Sequence, residues 1–135
     1  DTDVILDLFL SRQPFMDNAA KLFTLIERRK LEAYTSPVVF SNIFYILSRQ
    51  RNSQFALISL KKLKLLLNIS IVDSKVIDLA LISEMKDFED ALQYFSCQES
   101  ELKFLITRNI KDFPKSSIQV MLPEDFLILF KNTID

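Results

Sequence analysis

Leu102-Lys103-Phe104-Leu105-Ile106-Thr107 is a short, nearly continuous apolar run, the pattern of a strand covered on both faces. Strands of that kind sit in parallel sheets, because the helices that connect parallel strands pack on both sides of them. The run ends in the polar turn Arg108-Asn109-Ile110-Lys111-Asp112-Phe113-Pro114. Beyond the turn, Ile118-Gln119-Val120-Met121-Leu122 reads as another strand. Pro123-Glu124-Asp125-Phe126 then opens a helix, with proline at its first position and acids in its first turn.

Upstream the same alternation repeats. Leu31–Thr35 and Asn68–Asp73 alternate apolar and polar residues and read as strands. Between and before them lie helical patterns. One begins at Val4, capped by Thr2 or Asp3, and stops at Arg12-Gln13-Pro14. A second spans Phe15 to Lys30, with Phe15, Ala19, Leu22, Phe23 and Ile26 on one stripe. Others cover Val38 to Arg49, after Ser36-Pro37, and Ser53 to Leu67, capped by Asn52 or Ser53. Ser74 caps one through about Lys86, and Asp87 starts the last before Leu102, ending near Ser100. Strands separated by helices imply βαβ units and a parallel sheet, hence an α/β fold, and one domain accounts for residues 1–135.

Composition removes many chemistries. The 135 residues contain no glycine, which excludes the phosphate-cradling loops that need backbone without a Cβ, and no histidine, which excludes Ser-His-Asp and Cys-His nucleophile systems. An enzyme built from this alphabet has carboxylates, lysines and a borrowed metal to work with. A net charge of −1 gives no global attraction to nucleic acid. Basic residues are nevertheless bunched at Arg28-Arg29-Lys30, at Arg49 and Arg51, and at Lys61, Lys62 and Lys64, where they are either solvated helix flanks or grips for a phosphate backbone. No apolar run reaches the roughly 18 residues needed to cross a bilayer. With one cysteine, Cys97, no internal disulfide forms, so a reducing, cytoplasmic setting is expected.

The chemistry concentrates in Met85-Lys86-Asp87-Phe88-Glu89-Asp90-Ala91-Leu92-Gln93-Tyr94. Asp87 and Asp90 are three residues apart and share a helix face, where paired carboxylates among apolar neighbours want a cation. The same residues also suit a plain helix start, with Asp87 as cap and Glu89 and Asp90 as first-turn acids. In open α/β sheets ligands gather beyond the C-terminal ends of the strands. Thr107 to Asp112 and Ser36 to Asn42 follow two such ends, so several acids are expected at one pocket.

In this order and spacing the motifs resemble those of the PIN domain family, metal-dependent ribonucleases that include the VapC toxins of toxin–antitoxin pairs. Asp1-Thr2-Asp3 looks like the family's opening aspartate motif, Asp87 to Leu92 its third-acid motif, and Thr107 to Phe113 its last. The resemblance implies a three-layer α/β/α fold whose central first strand precedes Asp1. It implies that Asp1, Asp90 and Asp112 hold Mg²⁺ or Mn²⁺ and carry catalysis, with Asp87, Asn109, Asp3 and Thr107 in support. It also implies RNA as substrate, an antitoxin protein that masks the acids, and a homodimer. The sequence departs from the pattern at the second acid, where the expected glutamate falls on Asn42. Asparagine offers a metal a carbonyl oxygen but neither charge nor basicity. Two readings follow: a divalent-metal endoribonuclease, or a catalytically impaired PIN-fold module that binds RNA or protein.

Overall fold

The structure, a computed structural model, describes residues 1–134; of the span expected to form one domain, Asp135 lies outside the described residues. Among the described residues, seven helices and four short strands follow one another along the chain. The order is α1 (Thr2–Phe9), α2 (Met16–Glu27), β1 (Tyr34–Thr35), α3 (Pro37–Gln50), α4 (Ser53–Leu66), β2 (Asn68–Ile69), α5 (Ser74–Ile82), α6 (Phe88–Glu99), β3 (Phe104–Ile106), β4 (Gln119–Met121) and α7 (Pro123–Ile134). A 3₁₀ turn, Ile110–Asp112, lies between β3 and β4. The mixed α/β class expected from the sequence is present.

Helix starts follow the local chemistry, with two corrections. Ser36, Asn52 and Asp87 cap α3, α4 and α6 by accepting from the amides of Val39, Phe55 and Asp90. The cap of α5 is Asp73 rather than Ser74, because the aspartate carboxylate reaches the Val76 amide at 3.1 Å. That helix stops at Ile82, short of Lys86. The cap position of α1 is Asp1, not Thr2 or Asp3, and its side chain makes no capping bond. The Asp1 carboxylate is engaged elsewhere.

The main core lies under the α3–α4 hairpin. Ile43, Leu47, Ala56 and Leu63 are fully enclosed there, with Ile5, Leu6 and Phe23 from α1 and α2. Each buried Leu or Ile contributes roughly 1.5–3 kcal/mol. A second cluster joins Tyr94 and Cys97 of α6 to Leu105, Phe113 and Ile118, so α6 is held against β3. Cys97 is one of its packing residues, and burial pushes its thiol up to about 11. Of Phe40, Phe44 and Tyr45, the first two pack on the main core and Tyr45 stands 61% exposed, which divides the set between interior and surface.

The strands form two separate parallel pairs rather than one sheet. β1 pairs with β2, placing Tyr34 opposite Asn68, and β3 pairs with β4, placing Leu105 opposite Val120. In the first pair, the carbonyls of Ala33 and Thr35 accept from Asn68 and Ser70 of the β2 segment. Because a strand's alternate residues bond to opposite sides, Tyr34 turns its peptide groups away from β2. In the second pair the Lys103 carbonyl and the Thr107 amide bond to Gln119 and Met121, leaving Phe104 and Ile106 to face away. An apolar cavity of about 490 Å³ lies among Tyr34, Thr35, Phe104, Ile106, Cys97 and Phe126. Leu105 is buried on one face of β3, and Phe104 and Ile106 on the other are partly buried, packed with Leu22 and Phe126.

Candidate active site

Asp1 sits where α1 begins, at one end of the cavity between the strand pairs. Its main-chain nitrogen donates to the Ile106 carbonyl at 3.2 Å, which ties it to the C-terminal end of β3. Its carboxylate accepts from Thr107 Oγ1 at 2.6 Å and from Gln93 Nε2 at 3.5 Å. Thr107 Oγ1 in turn accepts from the Asn109 amide at 3.1 Å. A fully buried threonine therefore holds both the aspartate at position 1 and the loop after β3.

The start of α6 faces this group. A pocket is lined by Asp1, Thr2, Asp3, Asn42, Tyr45, Asp87, Glu89, Asp90 and Asn109, bringing residues from α1, α3, α6 and the β3 loop together. Asp87 caps α6 through its Oδ1, 2.9 Å from the Asp90 amide. Asp87 is thus the cap of α6, Glu89 and Asp90 are its first-turn acids, and all three line the pocket. Burial pushes the Asp90 carboxyl up to about 6, and the charges of Asp87, Asp112, Glu89 and Asp3 push it the same way. Asp112 sits in the 3₁₀ turn, exposed and outside the pocket wall, but close enough for its charge to act on Asp90.

The residues singled out from the sequence thus fall in one place: Asp1, Asp3, Asn42, Asp87, Asp90 and Asn109 line the pocket, Thr107 anchors it from beneath, and Asp112 stands beside it. Their donor set is oxygen-rich and their charges are mutually unfavourable, which suits a hard divalent cation. The carboxylates are not drawn together into a ligand cluster: among the described residues, no three acidic or other ligating side chains are close enough to hold a metal ion. The amide nitrogen of Asn42 is buried without a hydrogen-bond partner among the described residues.

Sequence reasoning missed four participants. Glu89 lines the pocket and accepts from Thr2 Oγ1 at 3.5 Å, and Gln93, one turn beyond Asp90 on the same face of α6, reaches Asp1. The buried Asp7 pairs with the partly exposed Arg108, whose Nε lies 3.0 Å from Asp7 Oδ2. Burial raises the Asp7 carboxyl, and Arg108 and Arg12 pull it back down. The i,i+4 spacing of Asp3 and Asp7 was the one available signal.

An α/β chain with carboxylates from distant segments gathered beyond the end of a parallel strand defines a class, and comparison places this chain within it. The chain belongs to the PIN domain family, whose model matches residues 1–111. Among curated proteins it is similar to ribonuclease VapC1 of Aquifex aeolicus (strain VF5), with 27% identity over 131 residues, 93% of this chain and 90% of that protein. No solved structure matches it. Among the described residues, no helix is long and apolar enough to cross a membrane.

Proposed function

We propose that this chain, read as one domain over residues 1–135, is a ribonuclease that cuts RNA phosphodiester bonds at the Asp1–Asp90 pocket. The observation that carries the reading is the convergence of Asp1, Asp3, Asp87, Glu89 and Asp90 on one pocket. Asp90 is pushed up to about 6 by burial among other acids, an arrangement that costs stability unless a cation is present. Membership of a family of metal-dependent nucleases and similarity to a curated ribonuclease support it.

In this reading Asp1, Asp90 and Asp112 would hold Mg²⁺ or Mn²⁺, with Asp3, Asp87, Asn42 and Asn109 around them. Such an ion, when bound, would lower the pKa of a nearby water and stabilise charge on the phosphoryl oxygens. The chain's own residues do the rest. Thr107 and Gln93 fix the rotamer of Asp1. The cap of α6 sets the direction of Asp90. Arg49, hydrogen-bonded to the Tyr45 hydroxyl at 2.9 Å, brings one of the basic bunches to the pocket wall.

The three-layer arrangement around one sheet belongs to the same proposal. A parallel strand between β1 and β3 would join the two pairs. The outward-facing peptide groups of Tyr34, Phe104 and Ile106, and the bond from Asp1 to the Ile106 carbonyl, support that placement. A VapC-type toxin also implies an antitoxin that covers the acids, with homodimerisation as a further expectation.

The second reading, a binding module without turnover, is favoured by Asn42, whose amide stands where the family pattern has an acid. Incubating the purified protein with single-stranded RNA in Mn²⁺, with and without EDTA, separates the two. Metal-dependent shortening that disappears in Asp90→Asn is expected. RNA retained in EDTA and never shortened in Mn²⁺ establishes the binder instead.

A further inference from the structure

Behind Asp3, two arginines border the acidic pocket. Arg108 is held by charge and stacking rather than by a hydrogen bond: its Nε, which has no hydrogen-bond partner among the described residues, lies 3.0 Å from Asp7 Oδ2, and its guanidinium stacks 4.0 Å over the Phe15 ring. Asp7 is 1% exposed, so this carboxylate is a fixed anchor rather than a mobile surface acid. Arg12 approaches from the loop after α1, with Nη1 3.6 Å from Asp3 Oδ1 and 4.0 Å from Asp7 Oδ1, while Arg108 Nη2 is 3.9 Å from Asp3 Oδ1. These last three separations exceed hydrogen-bond length. The two side chains remain 31% and 24% exposed.

We propose that Arg12 and Arg108 form a phosphate-holding subsite at the rim of the pocket, binding a backbone phosphate of a single RNA strand next to the one in the pocket; the proposal rests on the ribonuclease reading above. An acidic pocket repels a polyanion, and a cut strand must still be held against it. A guanidinium fork matches phosphate oxygens bidentately, and one pre-positioned by Asp7 and Phe15 loses little freedom on binding. Two carboxylates at 3.6–4.0 Å balance the arginines' charge without saturating their donors. Asp3 lines the pocket, so a phosphate held by these arginines lies beside the acids rather than on a remote face.

Arg12→Gln and Arg108→Lys test the assignment; the second keeps a cation on Asp7 but removes the fork. Steady-state cleavage of a short single-stranded RNA in Mn²⁺ is measured across a salt series, together with thermal unfolding. Arg12→Gln is expected to raise KM about tenfold with kcat within about twofold, to lower the salt slope of binding by about 0.7, and to lower the unfolding temperature only slightly, because Arg108 still faces the buried Asp7. Arg108→Lys is expected to raise KM likewise. A wild-type enzyme that cuts RNA while Arg12→Gln keeps its KM and salt slope overturns the subsite and leaves the ribonuclease reading standing. If the wild type binds RNA without cutting, fluorescence anisotropy with the same oligonucleotide decides by the same tenfold weakening and slope change. If it neither cuts nor binds, the ribonuclease reading fails and the subsite with it.

Discussion

Replacing Asp90 by asparagine is expected to stabilise the metal-free protein while abolishing cleavage. The Asp90 carboxyl moves from an ordinary value of 3.8 in the unfolded chain to about 6 in the folded one. Each tenfold change in proton affinity is worth about 1.4 kcal/mol, so the upper bound on the penalty at pH 7 is about 3 kcal/mol. The side chain is partly open to water, and it sits in the first turn of α6, where the helix dipole favours a negative charge by about 0.3–1 kcal/mol. Both effects trim the penalty to about 1 kcal/mol, or about 3–5 °C in unfolding temperature for a domain of this size. The sign follows from linkage. A folded carboxyl with raised affinity binds a proton that the unfolded one does not, so wild-type stability rises as pH falls from about 6 towards 3.8. Asp90→Asn should therefore melt higher than wild type in EDTA at pH 7, and the gap should close near pH 4. A scanning-calorimetry series from pH 4 to 7.5 measures this directly. Equal melting at pH 7, or a gap that grows on acidification, refutes the picture of a frustrated acidic pocket.

Asn42→Glu adds a carboxylate to the pocket wall and is expected to tighten Mn²⁺ binding about three- to tenfold by isothermal titration. Thr107→Val keeps the shape of a fully buried side chain but removes the 2.6 Å bond to Asp1. It should cost about 1.5 kcal/mol in urea unfolding at pH 7 and lower kcat by loosening Asp1. Leu47→Ala empties a site with no solvent exposure in the main core, and a loss of about 2–5 kcal/mol by the same unfolding measurement is expected, with Mn²⁺ affinity preserved in whatever remains folded.

Much of the local structure was legible because it depends on short-range rules. Proline after Ser36, the asparagine at position 52 and the aspartate at position 87 mark helix starts, since a side-chain acceptor must satisfy amides that the helix cannot. The i,i+3 spacing of Asp87 and Asp90 put both carboxylates on one side of α6, and both line the pocket. Strand lengths were read too long. Leu31–Thr35 and Asn68–Asp73 yielded two paired residues each, because pairing needs a neighbour that alternation in one segment does not provide. Asp7 was passed over for a related reason. In sequence it is one polar residue in an apolar helix, and its role depends on Arg108, which arrives from the other end of the chain.

The sequence by itself determined the alphabet of chemistry, oxygen ligands without histidine or glycine, and the helix faces on which the acids stand. Only the tertiary structure decided that Asp1 meets Thr107 and Gln93, that Asp90 lines the same pocket while Asp112 stands beside it, and that β1 pairs with β2 and β3 with β4. Periodicity and capping act over one or two turns of chain, whereas these meetings are set by how the helices pack and by which strand ends the topology brings together.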